Sequence, residues 1–190
     1  MCGKYRALDE TNDEMREIAE KLKARITPSE FEKISLFDVV PSSRSIAVWN
    51  NPSSNRCVYT VMVWGYPGAR GRLVINARSE TVFSSWFFRD SLPCVLPASF
   101  YYETDRNTGK RWSFYTDEKT VYLAGICRIT EEGIRFVILT EEAGEPQNKI
   151  HERQPVMFDY EHAKKWCASK DPSTLLKYSI QKRYMRQVSE

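Results

Sequence analysis

An α+β fold with a mostly antiparallel sheet system and a few peripheral helices is predicted by three observations. Between Pro28 and about Thr140, short β-branched and aromatic runs alternate with turn signals. Helical periodicity is confined to a few short windows outside that stretch and one within it. No repeat, linker or low-complexity segment interrupts a 190-residue chain that is 42% hydrophobic, so residues 1–190 are read as one domain around one core.

The elements follow in order. Thr11 and Glu14 have capping-box spacing, and Met15, Ile18, Ala19 and Leu22 recur at helical intervals, predicting a helix over residues 13–25 that stops before Pro28. Three hairpins are expected: SIAVW and RCVYTVMVWG around NNPSSN, SFYYET and RWSFYT around DRNTGK, and TVYLAGICRI and IRFVILTEEA around EEG. Within SETVFSSWFFRD, Val82, Phe83, Trp86 and Phe87 share a helical face, with Ser79 or Thr81 as cap. Asp159 precedes the helical YEHAKKWCA, and Asp171 precedes Pro172 as an N-cap before a proline in the first turn. Trp64, Trp86 and Trp112 are expected in the core.

Charge and cysteine content narrow the function. Lys plus Arg (28) exceeds Asp plus Glu (25) by only 3, so net charge alone predicts no nucleic-acid binding, and any basic strip must be local. The five cysteines include no C-x-x-C pair, which argues against a disulfide framework or a zinc site. Cys57, Cys94, Cys127 and Cys167 lie in apolar surroundings and are expected as buried small hydrophobes. No apolar run reaches the roughly 18 residues that span a bilayer, and MCGKYRALDE lacks the apolar stretch of a secretory signal, so a cytoplasmic protein is expected.

Cys2 is singular because removal of Met1 would leave an α-amine and a thiol on one residue. The amine titrates near 7.7 to 8.0 and the thiol near 8.5, so both have nucleophilic fractions near neutral pH. An aldehyde carbon can form an imine with the amine, and the sulfur can then close a five-membered thiazolidine. Read together, MCGKY, FDVVPS (37–42), VWGYPG (63–68), INARSET (75–81), LPASFYYE (96–103) and IHERQP (150–155) resemble, in order, the SOS response-associated peptidase family, which includes abasic-site processing proteins.

The resemblance implies the family's barrel-like core and its site. Cys2 falls on the nucleophile, Asn76 on the active-site Asn, Glu103 on the acid and His151 on the catalytic His. Arg78 and Arg153 fall on DNA-backbone arginines. The implied activity is covalent capture of the ring-opened aldehyde of abasic sites in single-stranded DNA, with self-release or autoproteolysis, by a monomer that needs no cofactor and no metal. The residue types suit it: an acid and a base are needed to open the closed sugar and dehydrate the carbinolamine. Asn76 can hold the amine or a sugar hydroxyl, and arginines fork onto phosphate.

The chain departs from the family pattern at four places. Lys4 stands for Arg and keeps a DNA-facing charge without the planar fork. Asp38 stands for Asn, YYET for Phe-Glu-Trp, and ARGRLV follows WGYPG without an aromatic-rich insertion. Two other readings are a cysteine-dependent peptidase or amidase using Cys2 and His151, and a noncovalent reader of single-stranded or modified DNA.

Overall fold

The computed structural model describes residues 2–7 and 12–188. The strands are β1 (Lys4–Arg6), β2 (Asp38–Val39), β3 (Arg44–Asn51), β4 (Arg56–Trp64), β5 (Tyr66–Pro67), β6 (Leu73–Val74), β7 (Asn76–Arg78) and β8 (Leu92–Ala98). They continue as β9 (Phe100–Thr104), β10 (Arg111–Tyr115), β11 (Val121–Thr130), β12 (Gly133–Glu142), β13 (Arg153–Pro155), β14 (Met157–Phe158) and β15 (Tyr184–Gln187). The α-helices are α1 (Asp13–Lys23), α2 (Pro28–Phe31) and α3 (Tyr160–Ala168).

All three expected hairpins form, as β3–β4, β9–β10 and β11–β12. Beyond them, β11 also pairs β8, β8 pairs β3, and β4 pairs β12 in parallel, so the chain of pairings returns to β11 and closes a ring. Strands β7, β13 and β14 attach to that ring from outside, giving a barrel-like sheet rather than a simple barrel. A second sheet runs β15-β10-β9-β1-β2, and β5 pairs β6 separately. Gly125 permits the close approach of strands inside the ring: a Cβ there would meet Val137 O at 2.9 Å and Leu96 Cδ2 at 3.0 Å.

The interior is aromatic. Trp64 is fully buried, stacks on Phe136 with centroids 5.9 Å apart and meets Tyr5 at 5.5 Å. Trp166 anchors α3 on the other face, and its indole N–H donates to Cys94 O and Gly125 O at 3.1 Å. α1 buries Met15, Ile18, Ala19 and Leu22 as their spacing requires. No helix among the described residues is long and apolar enough to cross a membrane.

Several local expectations change. Thr11 lies outside the described residues; the cap of α1 is Asn12, whose side chain accepts from Met15 N at 3.2 Å and donates to Lys119 O. Glu14 receives the Tyr122 hydroxyl at 2.6 Å. The helix expected in SETVFSSWFFRD is absent: two 3-10 turns, Val82–Ser84 and Trp86–Phe88, are separated at Ser85 by extended backbone. Its rings pack on two separate anchors, Phe83 against Trp166 and Phe87 with Phe88 against Tyr66, with the break at Ser85 between them. Trp86 is therefore 76% exposed, not core, while Trp112 is half-buried against the main cluster.

Of the four cysteines expected inside, Cys94, Cys127 and Cys167 are buried and Cys57, on the outward side of β4, is exposed. Asp159 caps α3 by accepting from His162 N at 2.8 Å. Asp171 precedes a 3-10 segment, Pro172–Tyr178, without a side-chain cap bond.

Candidate functional site

The site begins with β1, held between β9 and β2. Lys4 lies opposite Tyr102 and Tyr5 opposite Tyr101, and this register runs residue 2 toward Glu103. Tyr5 fixes the strand from inside: its ring is fully buried against Trp64 and its hydroxyl shares a 2.7 Å hydrogen bond with Ser45. Cys2 is consequently buried. Burial pushes its thiol up, and the Glu103 charge pushes it the same way, so the sulfur carries its proton at neutral pH.

Asn76 reaches residue 2 from a different sheet. The Trp64 indole donates to Ile75 O at 2.8 Å, and β7 then runs parallel to β12 with Asn76 beside Ile138. From there Asn76 Nδ2 donates to Cys2 O at 2.9 Å. Asn76 Oδ1 is buried and has no hydrogen-bond partner among the described residues.

Glu103, on β9, and His151, in the loop before β13, are both about 7% exposed and line one open cleft of about 460 Å³ with Gly3, Lys4, Ile75 and Arg106. Burial raises the Glu103 carboxyl above the ordinary range, opposed by positive charge that includes Arg106. Burial lowers the His151 imidazole, and Arg106 lowers it further, while Glu152 acts in the opposite direction. Glu103 thus holds a proton to higher pH than a free Glu, and His151 is neutral to lower pH than a free His. The two groups are displaced toward each other, as proton-transfer pairs require.

The basic residues separate into different environments. Arg78, at the end of β7, is exposed, and no acid among the described residues pairs with it. Arg153 is committed: its guanidinium forks onto Glu80 at 2.7 and 2.8 Å and also donates to Thr140 O. That pairing holds Glu80 below the usual carboxylate range. Lys4 Nζ is 2.6 Å from one Asp38 oxygen, Arg6 Nε is 2.9 Å from the other as a second ion pair, and Lys4 Nζ lies 4.8 Å over the Tyr102 ring. Two of the positions at which the sequence departs from the family pattern, Lys4 and Asp38, are therefore one ion pair.

Two arginines that no sequence motif singles out belong to the site's surroundings. Arg106, in the β9–β10 turn, places Nη2 3.3 Å from His151 Nε2. Arg183, with a side chain fully removed from solvent, donates to Tyr101 Oη at 2.9 Å, Pro155 O at 2.8 Å and Glu141 Oε1 at 3.3 Å. Tyr101 donates in turn to Gln147, whose carbonyl receives His151 N at 2.9 Å. Arg183 thus braces the His151 loop from beneath. Within KYSIQKRYMRQ it reads like any residue of a basic segment, because Tyr101, Glu141 and Pro155, the partners that matter here, are 28 to 82 positions away. Among the described residues, no group of three or more His, Cys, Asp or Glu is arranged to hold a metal.

Comparison with known proteins gives a consistent result. A family model described as SOS response associated peptidase (SRAP) matches residues 1–190. Abasic site processing protein YoaM of Bacillus subtilis is 29% identical over 91% of this chain and 82% of its own. YobE, an abasic site processing protein of the same organism, is 30% identical over 100% of this chain and 94% of its own. A phage-related protein from Bordetella bronchiseptica shares the fold with a TM-score of 0.73 at 17% identity, covering 100% of this chain and 95% of its own. A Bacteroides thetaiotaomicron protein does so with a TM-score of 0.71 at 17% identity, covering 99% and 92%.

Proposed function

The chain belongs to the SOS response associated peptidase (SRAP) family, and from that premise we propose that it processes abasic sites by capturing their ring-opened aldehyde, in single-stranded DNA, as a covalent adduct on Cys2. One observation carries the reading: strands distant in sequence bring Glu103 and His151 to the wall of one open cleft beside Gly3, and directly behind that wall lies buried Cys2, whose carbonyl receives Asn76 Nδ2 and whose thiol is within the influence of the Glu103 charge. The names of its relatives, abasic site processing proteins, support it.

In a chain that starts with Met1 the Cys2 nitrogen is an amide, so the chemistry requires removal of Met1. The freed amine then attacks the aldehyde carbon to give a carbinolamine. Glu103, protonated to higher pH than a free Glu, gives its proton to the departing hydroxyl, and water leaves as the imine forms. The buried thiol enters last. Its S–H adds across the C=N bond, sulfur to carbon and hydrogen to nitrogen, closing the thiazolidine with no further reactant.

This order follows from the thiol's raised pKa and departs from the simple aminothiol picture, in which amine and thiolate are comparably available. Asn76 holds the residue 2 carbonyl and keeps Oδ1 to receive the amine or a sugar hydroxyl. His151 takes up the second proton transfer, including reversal of the adduct. Arg78 is the exposed arginine for a phosphate, whereas Lys4 and Arg153 would have to exchange carboxylates for it. The peptidase reading is less well supported: the His151 ring nitrogens face Arg153 N–H and Arg106.

The test is intact-mass and SDS-gel analysis of protein from which Met1 has been removed, mixed with a single-stranded abasic oligonucleotide. Wild type should give an SDS-stable adduct one water lighter than the sum of its parts. Cys2→Ser should give one only after reductive trapping. Heat-stable crosslinking by Cys2→Ala at the wild-type yield would refute the assignment.

A further inference from the structure

We propose that Arg106 and His151 together form a phosphate site for the DNA strand, so that strand binding releases His151 from Arg106 and raises its proton affinity. This rests on the DNA reading above and specifies how that ligand is held.

The approach of Arg106 to His151 sets donor against donor. His151 Nδ1 accepts the Arg153 backbone N–H at 2.9 Å, within a loop whose own backbone bonds are formed. A neutral imidazole bears one N–H, so with Nδ1 accepting, the proton is on Nε2. Nε2–H then points at Arg106 Nη2, 3.3 Å away, and a guanidinium nitrogen can only donate. The other tautomer moves the conflict to Arg153 N–H without removing it. Two donors therefore converge on one point, the arrangement an anionic oxygen relieves by accepting from both.

Arg106 is the partner free to move. It is exposed, and no carboxylate among the described residues lies within ion-pair distance of it. The acid next to it in sequence, Asp105, is consumed by the turn. One Asp105 oxygen accepts Asn107 N at 2.9 Å, the other accepts Thr108 Oγ1 at 2.6 Å, and its backbone closes on Gly109 and Lys110. Gly109, at φ +70°, takes a left-handed position that a side chain would oppose. The turn is thus a rigid mount that offers Arg106 to the cleft. Arg111 lines the same cleft, whereas Lys4 and Arg153 are already neutralised by Asp38 and Glu80.

The charged groups facing His151 make the consequence definite. Burial and the positive terminal amine lower its pKa, Arg106 lowers it further, Glu152 raises it, and Glu103 is the acid across the cleft. A phosphate accepting from Arg106 offsets the part of that lowering due to Arg106 and adds an acceptor for the imidazolium. The proton affinity of His151 would then be higher when DNA is seated than when the cleft is empty. Proton delivery would be coupled to occupancy.

The experiment uses single-stranded DNA carrying a tetrahydrofuran abasic analogue, which has no aldehyde and cannot crosslink. Fluorescence anisotropy across a salt series should show Arg106→Ala binding about tenfold more weakly. The slope of log affinity against log salt should be shallower by about 0.7, one phosphate contact on a single strand. Arg106→Lys should fall between. In parallel, 15N imidazole spectra titrated by pH should show the His151 pKa rising with DNA in wild type. In Arg106→Ala it should already be higher without DNA and move less when DNA is added. The chain has only two histidines, so His162, held by Asp159, is an internal reference. Wild-type affinity and slope in Arg106→Ala would overturn the phosphate site while leaving the DNA reading intact. Failure of the wild-type protein to bind the analogue strand at any salt would overturn both.

Discussion

Replacing Arg183 with Met tests whether the brace beneath the site is as important as its geometry implies. The guanidinium is fully buried and donates to Tyr101 Oη, Pro155 O, Ile180 O and Glu141 Oε1. Breaking a buried ion pair by removing one partner costs about 3–5 kcal/mol, because the survivor is left as an uncompensated charge. Two facts place this case at the lower end. Glu141 retains 17% side-chain exposure, and Oε1 would still receive Ser179 Oγ at 2.7 Å and the Gln154 and Gln181 amides at 3.0 Å. The expected loss is therefore about 3 kcal/mol, a large share of the 5–15 kcal/mol that stabilises ordinary domains. With a urea m-value of about 2 kcal/mol per molar, the unfolding midpoint should fall by about 1.5 M.

The double variant Arg183→Met with Glu141→Met should lose less than the sum of the two single variants, since neither charge is then stranded. Hydrogen exchange adds a local readout. The His151 amide, bonded to Gln147 O, should lose protection in Arg183→Met because the Tyr101–Gln147 link is loosened. A midpoint shift below about 0.5 M, or strict additivity in the double variant, would refute the reasoning.

Two further outcomes follow from burial. Glu103→Gln should slow adduct formation by about 100-fold to 10,000-fold, yet stabilise the fold at neutral pH. The folded-state pKa of Glu103 is raised, so its contribution is most favourable below the ordinary value near 4.3 and is lost as pH rises through the folded pKa, each tenfold change in its acid constant being worth about 1.4 kcal/mol. Thermal melts should show the Gln variant ahead at pH 7 and level at pH 4; the reverse order would place Glu103 in a different environment. Trp64→Ala should cost about 3–5 kcal/mol, whereas Trp86→Ala should change stability by less than about 0.5 kcal/mol. Comparable losses by denaturant titration would contradict the exposure of Trp86.

The parts of the fold legible in the sequence are those decided locally. NNPSSN, DRNTGK and EEG contain their own turn chemistry, and Asp159 signals the start of α3, so these elements can be read without knowing their partners. SETVFSSWFFRD misleads because its aromatic spacing satisfies a helix while its rings pack on two separate anchors, Phe83 on Trp166 and Phe87 with Phe88 on Tyr66, and the backbone breaks at Ser85 between them. Alternation within one strand likewise does not show that Cys57 points outward. The ring closes by parallel pairing of β4 with β12, and β7 joins β12 in the same sense, contacts without a local signature.

At the site, ordered motifs lead to Cys2, Asn76, Glu103 and His151, and the fold brings them together. The same motifs do not reveal that Arg153 is occupied by Glu80 or that Lys4 and Asp38 compensate each other. Nor do they identify Arg106 or Arg183, whose importance lies in what each touches across the fold.

The interior place of β1 also sets a schedule for biosynthesis. Cys2 is buried because β1 pairs with β9, and Glu103 is made roughly a hundred residues after it. At about 5–20 residues per second, roughly 5–20 s pass before β9 has even been polymerised. Through that interval residue 2 has no sheet to enter and remains accessible to the removal of Met1 that the proposed chemistry requires. The proposed role of Cys2 would therefore be prepared on the nascent chain, and a slowly processed leader placed before Cys2 would leave the protein to fold over the nitrogen which that proposal requires to be free.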